Sequence, residues 1–136
     1  TIPGKAVFSV ITRDTDETVQ SHLLSVVKRE IKEAAKAHDL AWDIEEKSWL
    51  SPVSLDGGLA TILAEHAETL GLPYLRMPSG AGHDAQTMQA LCPSALVFIP
   101  SRAGISHAPE EFSKWSDIVA GARLMLSTLT DLSSKS

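Results

Sequence analysis

The two histidines best placed for chemistry are His83 and His107, since each follows an apolar run that ends in a loop. Three small residues, Gly80-Ala81-Gly82, precede His83, and Asp84 follows it. An imidazole can exchange protons, stabilise a developing oxyanion or bind a metal ion. If the two runs are parallel strands, their carboxyl ends meet at one edge and both imidazoles face one crevice. The residues alone leave two interpretations open: a shared polar site, or a glycine-rich turn plus an unrelated loop histidine.

The other three of the five histidines have simpler interpretations. His22 and His38 accompany a charged helical segment, where a histidine is usually solvated. His66 lies on the apolar face of a predicted helix, which favours a core or boundary position. A serine-hydrolase arrangement of Ser79, His83 and Asp84 is set aside, because His and Asp are adjacent and no Gly-x-Ser-x-Gly turn is present.

The first part of the chain has a β-α-β pattern. Residues 5–12 are apolar and β-branched, and residues 41–49 alternate around Trp42 and Ile44, so both are predicted to be strands. Between them, apolar residues at three- and four-residue spacing predict an amphipathic helix over Asp16–Lys36, with Asp14 as its cap.

The second part, after Ser51-Pro52, reads as α-β-α-β-α. The first predicted helix of this part begins at the cap Ser54 and is ended by Gly71. Two further helices are predicted over residues 83–91 and 116–132. Residues 75–78 and 95–100 are predicted strands; the second is apolar without alternation, as in a strand buried on both faces. The expected fold class is therefore α/β, with a three-layer second part.

Composition narrows the class of protein. The 136 residues are 43% hydrophobic with a net charge of −5, which is typical of a globular chain and argues against nucleic acid as a partner. No membrane-length apolar run or leader is visible, and the single Cys92 fits a reducing compartment, so we expect a cytoplasmic protein with no membrane partner. The start without Met and the serine-rich end predict a piece cut from the carboxyl side of a longer protein.

Three motifs carry a resemblance to a known family. The stretches MPSGAGHDAQ (Met77–Gln86) and VFIPSRAGISHAPEEF (Val97–Phe112) resemble the C-terminal signature of the M20 metallopeptidase-type amidases. The branch most similar contains N-carbamoyl-L-amino-acid hydrolases, β-ureidopropionases and allantoate amidohydrolases. IPGKAVFSVITR (Ile2–Arg13) resembles the strand that re-enters their lid domain. The resemblance implies that residues 1–51 belong to a lid and dimerisation domain, and residues 52–136 to the catalytic domain.

The same resemblance implies roles for particular residues. His107 corresponds to a metal ligand in enzymes that hold two divalent ions, Zn or Mn, and a neutral imidazole suits such ions. His83 corresponds to a catalytic residue that hydrogen-bonds the carbamoyl group or its oxyanion, and the peptide N–H groups around Gly82 help to hold the substrate. Arg13 corresponds to the arginine that binds the substrate carboxylate, a task suited to a planar guanidinium.

The implied reaction is hydrolysis of the carbamoyl C–N bond of a ureido acid, with release of ammonia and carbon dioxide. The family's other metal ligands and its general-base glutamate have no counterpart here, so this chain alone is expected to be inactive. Ile11 and Ala103 stand where relatives commonly carry Asp, which leaves the particular substrate open.

An alternative of another class is a stand-alone, non-catalytic α/β module that serves in binding or dimerisation. Its best contact surface would be the predicted helix Asp16–Lys36, since the resemblance implies a homodimer formed through the lid domain.

Overall fold

The structure is a computed structural model that describes residues 3–134. Its helices are α1 (Glu17–Ala37), α2 (Gly57–Thr69), α3 (Asp84–Met88) and α4 (Trp115–Ser134), with a short 3₁₀ turn at Arg102–Gly104. The four predicted helices are thus confirmed, with shifted ends. Ile2, the first residue of the opening motif, and the last two residues of the serine-rich tail lie outside the described residues.

The predicted α/β class is wrong. Residues 3–134 contain no strand and are 47% helical, so the expected strands at 5–12, 41–49, 75–78 and 95–100 are absent. β-Branched residues fit a pleated surface, but a strand forms only when its N–H and C=O groups pair with a neighbouring chain segment. These segments find no such ladder here, and Val7 and Phe8 remain 82% and 68% exposed.

The N-cap of α1 is a carboxylate, Asp16, which lies two residues after the predicted cap, Asp14. Asp16 Oδ1 accepts from the N–H of Thr18 at 2.7 Å, whereas Asp14 Oδ1 accepts from the N–H of Asp16 at 2.9 Å. Both candidates are acidic, and only the backbone geometry decides which one caps. The least exposed stripe of α1 consists of Gln20, Leu24, Val27, Ile31 and Ala35, all at helical spacing; Gln20 and Ala35 are buried and the other three are half-buried.

Helices α2 and α4 pack together through small residues. Ala64, Ala67 and Thr128 are 7%, 1% and 4% exposed. Asp56, rather than the predicted Ser54, caps α2 by accepting from the N–H of Leu59 at 2.7 Å. Gly71 has a φ of +67° just beyond the end of α2, the left-handed conformation that makes glycine common there.

The chain divides into two compact units. The first contains residues up to Val53 together with Pro78–Ala81, and the second contains Ser54–Met77 and the residues from Gly82 onward. Within residues 3–134, no helix is long and apolar enough to cross a membrane.

Candidate functional site

The loop that carries His107 is closed by contacts between its own ends. The N–H of Arg102 donates to the carbonyl oxygen of Phe112 at 2.8 Å, and the Arg102 guanidinium lies 5.0 Å from the centre of the Phe112 ring. A compact loop of this length with adjacent ends holds its residues in place without flanking strands. Its shape therefore does not depend on the sheet that the sequence predicted.

Inside this loop the backbone is left-handed at three positions. Ala103, Gly104 and His107 have φ values of 56°, 68° and 56°. Left-handed backbone is unfavourable for most L-residues and tends to occur where a side chain must be aimed in a particular direction. Glu111 Oε2 accepts from the backbone N–H of His107 at 2.8 Å, and His107 itself is exposed.

His83 occupies the position immediately before α3. Its N–H donates to Gln86 Oε1 at 3.2 Å, while its carbonyl oxygen accepts from the N–H of Gln86 at 2.9 Å. The imidazole meets the Phe98 ring edge-on, with the ring centres 5.3 Å apart and the planes 62° apart. The backbone and the ring of His83 are thus both held, and the residue is half-buried.

Gly82 lies against the same glutamine. A Cβ added at Gly82 would lie 3.3 Å from Gln86 Oε1, tighter than most such contacts. A larger residue here would press on the oxygen that accepts from the N–H of His83. A side chain at position 82 would thus require a small shift of the Gln86 amide, which bonds the backbone of His83.

Arg13 belongs to the first unit, where it reaches the glycine-rich turn. Its Nη1 donates to the carbonyl oxygen of Gly80 at 3.1 Å, and the side chain is exposed. The turn is internally braced, because Ser79 Oγ accepts from the N–H of Ala81 at 3.2 Å. The structure therefore anchors the guanidinium on the turn that leads, three residues later, to His83.

The described residues do not by themselves assemble a metal site. Nowhere between residues 3 and 134 do three or more His, Cys, Asp or Glu side chains come together as a set that could hold a metal ion. A catalytic zinc ion usually takes three protein ligands. Metal binding at His107 would thus require ligands beyond those that this part of the chain brings together.

The other three histidines lie either between two helices or at the surface. His66 Nδ1 lies 2.8 Å from Ser127 Oγ, and Nε2 lies 3.4 Å from Asp131 Oδ2, which places this half-buried ring between α2 and α4. His22 and His38 are exposed, the latter at the end of α1. None of the three adjoins a predicted site residue in sequence.

Sequence reasoning missed Gln20. It is 6% exposed, and its side-chain amide reaches the backbone next to Arg13. The signal was present in the sequence, because Gln20 is in helical register with Leu24, Val27 and Ile31, where a polar residue is unexpected. A groove of about 490 Å³ between α1 and residues 42–46 is lined by Lys28, Lys32 and Trp42 among others, but by none of the predicted site residues.

Comparisons with known proteins show which family and which proteins this chain is similar to. Residues 2–131 match the model of peptidase family M20/M25/M40. The chain is 33% identical to the allantoate amidohydrolase of Escherichia coli over 96% of its length, and 31% identical to the N-carbamoyl-L-amino-acid amidohydrolase of Paenarthrobacter aurescens over the same share. It is 37% identical, over 91% of its length, to an uncharacterized hydrolase of Haemophilus influenzae.

The chain spans about a third of the length of these relatives, covering 30% of the Haemophilus protein and 32% of each of the other two. The family match, by contrast, runs through nearly all of the chain and includes the segments that carry Arg13, His83 and His107. The chain therefore belongs to peptidase family M20/M25/M40.

Proposed function

We propose that the intact protein containing this chain is a metal-dependent amidohydrolase. It cleaves the carbamoyl C–N bond of N-carbamoyl amino acids or related ureido acids and releases ammonia and carbon dioxide. The similarity over 96% of the chain to an allantoate amidohydrolase and to an N-carbamoyl-L-amino-acid amidohydrolase carries this proposal.

Arg13 is the proposed binding residue for the substrate carboxylate. A guanidinium offers a planar fork of donors that matches a carboxylate through two parallel hydrogen bonds. Arg13 is exposed, and its side chain donates to a neutral carbonyl at Gly80, which leaves its positive charge uncompensated in that contact. This arrangement supports a role in binding an anionic group.

His83 and Gly82 are the proposed partners of the carbamoyl group. An imidazole N–H or a peptide N–H placed beside the carbonyl oxygen would stabilise the negative charge that develops there during hydrolysis. The edge-on contact with Phe98 and the backbone bonds to Gln86 restrict the orientation of His83. Restricted donors stabilise such charge more effectively because they need little reorganisation.

His107 is the proposed ligand of a divalent metal pair, Zn or Mn, and the only one that the resemblance assigns to this chain. When bound, such metals polarise a carbonyl and lower the pKa of a bound water. The left-handed backbone at His107 and the bond from its N–H to Glu111 define the backbone position from which the imidazole projects. Because the further ligands must come from elsewhere, this chain alone is proposed to be inactive.

The proposal also includes the organisation of the intact protein. Residues 1–51 would form part of a lid and dimerisation domain, and residues 52–136 part of the catalytic domain. The protein would act as a cytoplasmic homodimer on small ureido acids.

The test is ammonia release by the intact protein. With Mn or Zn added, we expect hydrolysis of at least one of three substrate types: an N-carbamoyl-α-amino acid, N-carbamoyl-β-alanine or allantoate. The His107→Ala variant should lose turnover and bound metal, whereas His22→Ala, which removes an exposed histidine from α1, should change neither. Absence of turnover with every ureido acid by the metal-loaded protein would rule out the proposed activity.

A further inference from the structure

Gln20 places a polar side chain in the least exposed stripe of α1. It is 6% exposed and stands four residues before Leu24 and seven before Val27, which are both half-buried. An apolar side chain of similar volume would fill the same space without the cost of removing an amide from water. The amide therefore needs an explanation other than packing.

The carboxamide of Gln20 joins two segments that are far apart in sequence. Its Nε2 donates to the carbonyl oxygen of Leu50 at 3.2 Å and lies 3.5 Å from the carbonyl oxygen of Thr12. Its Oε1 is buried and has no hydrogen-bond partner within the described part of the chain. A buried acceptor left unsatisfied is destabilising, so the glutamine carries a cost in stability that an apolar residue would avoid.

Thr12 immediately precedes Arg13, and Asp14 immediately follows it. Asp14 Oδ1 accepts from the N–H of Asp16, and Asp16 in turn caps α1. The peptide unit before Arg13 is thus tied to the first turn of α1 by Gln20, while the residue after Arg13 is tied to the cap through its side chain. All these residues belong to the first unit, as does Gly80, which receives the Arg13 guanidinium.

We propose that Gln20 is a positioning residue for Arg13. By holding the carbonyl of Thr12 against α1, it sets the point from which the long, flexible Arg13 side chain starts, and so restricts the region that the guanidinium reaches. This inference rests on the proposed function in one respect, namely that Arg13 binds the substrate carboxylate.

The first test is kinetic and uses the intact protein with the ureido acid that it hydrolyses best. Gln20→Met keeps the side-chain length and removes the donor. We expect KM to rise about five- to tenfold, the scale of one lost hydrogen bond, with kcat changed less than twofold. In an Arg13→Ala background, Gln20→Met should raise KM no further, because its effect passes through Arg13.

The matched control is Ala35→Gly, which destabilises the same helix at another buried position, 7% exposed. It should leave KM unchanged. Gln20→Asn is the second glutamine variant; it stays polar but is too short to reach both carbonyls, and it should behave as Gln20→Met does. An equal rise in KM with and without Arg13 would show a general structural role and overturn the inference.

The second test needs no substrate. Nitrogen-15 relaxation of the Arg13 side-chain Nε–H should show greater mobility in Gln20→Met and Gln20→Asn than in the parent protein or Ala35→Gly. If the intact protein hydrolyses no ureido acid, the proposed function fails while this measurement still decides the positioning role. Unchanged Arg13 mobility in both glutamine variants would overturn it.

Discussion

Arg13 Nη1 donates a hydrogen bond to the carbonyl oxygen of Gly80 at 3.1 Å, across a separation of 67 residues. The contact lies within the first unit, because Pro78–Ala81 groups with the amino-terminal residues rather than with its sequence neighbours. A guanidinium has five N–H donors, so this bond commits one of them. The bond holds one end of the fork, and the side chain remains exposed to solvent.

Replacement of Arg13 by lysine should weaken the binding of substrates that bear a carboxylate. Lysine keeps the charge but loses the planar fork, so we expect KM to rise about tenfold, and about a hundredfold for Arg13→Ala. The measurement is KM for a ureido acid and for its amide analogue, which should respond little. Arg29→Lys, an exposed change on α1, is the control. Equal KM values for parent and Arg13→Lys would contradict the assignment.

Aspartate at position 103 should stabilise the loop that carries His107. Ala103 adopts a φ of 56°, a conformation that Asp and Asn tolerate better than Ala, and the chain already places Asp39 at a φ of 53°. We expect Ala103→Asp to raise the free energy of unfolding by about 0.5–1 kcal/mol. Chemical denaturation measures this change. Ala41→Asp, outside the positive-φ positions, is the control and should give no comparable gain.

A methyl group at position 121 should destabilise the second unit. A Cβ added to Gly121 would lie 2.6 Å from Ile99 Cγ2, so α4 can approach residues 95–100 only because no side chain intervenes. We expect Gly121→Ala to cost about 1–3 kcal/mol in thermal unfolding, although alanine is the better helix former. Gly57→Ala, at a helical position with open space around it, should be neutral or stabilising. Adding Ile99→Leu, which removes Cγ2, should restore part of the loss.

The cap of α1 should weaken in acid. Hydrogen bonds from the N–H groups of Thr18 and Val19 lower the pKa of Asp16 from its ordinary value of 3.8. Because the folded pKa lies below the unfolded one, the stabilising effect is present above the unfolded pKa and is lost as pH falls through the folded pKa. An NMR titration of the Asp16 carboxyl should show the lowered midpoint. The Asp16→Asn variant can still cap the helix, so it should lose this part of the acid dependence of helix content. A titration midpoint of Asp16 at its ordinary value would contradict the prediction.

Helix positions could be predicted because their causes are local. The apolar periodicity predicted a helix over Asp16–Lys36, and α1 spans Glu17–Ala37. Cap identity was less predictable: Asp14 and Asp16 are both good caps by type, as are Ser54 and Asp56, and only the backbone path selects one of each pair.

The residues of the candidate site also differ in whether the sequence could identify them. Their positions after apolar runs singled out His83 and His107, and motif resemblance added Arg13 and Gly82 and a role for each of the four; these roles remain proposals. Gln20 was not identified, although its helical register with Leu24, Val27 and Ile31 gave a signal, because register alone does not show whether a glutamine is buried. The bond from Arg13 to Gly80 was also beyond prediction, since neither residue type identifies the other as its partner.

The sequence by itself determined family membership and the four helices, because motif order is a property of the chain and helical hydrogen bonds join residues four apart. Tertiary structure alone decided that residues 5–12 and 95–100 do not form strands, that Gln20 is buried, and that Arg13 meets Gly80. Each of these depends on a partner many residues away. A run of β-branched residues favours extended backbone, but a strand forms only when its backbone hydrogen-bonds with a second segment.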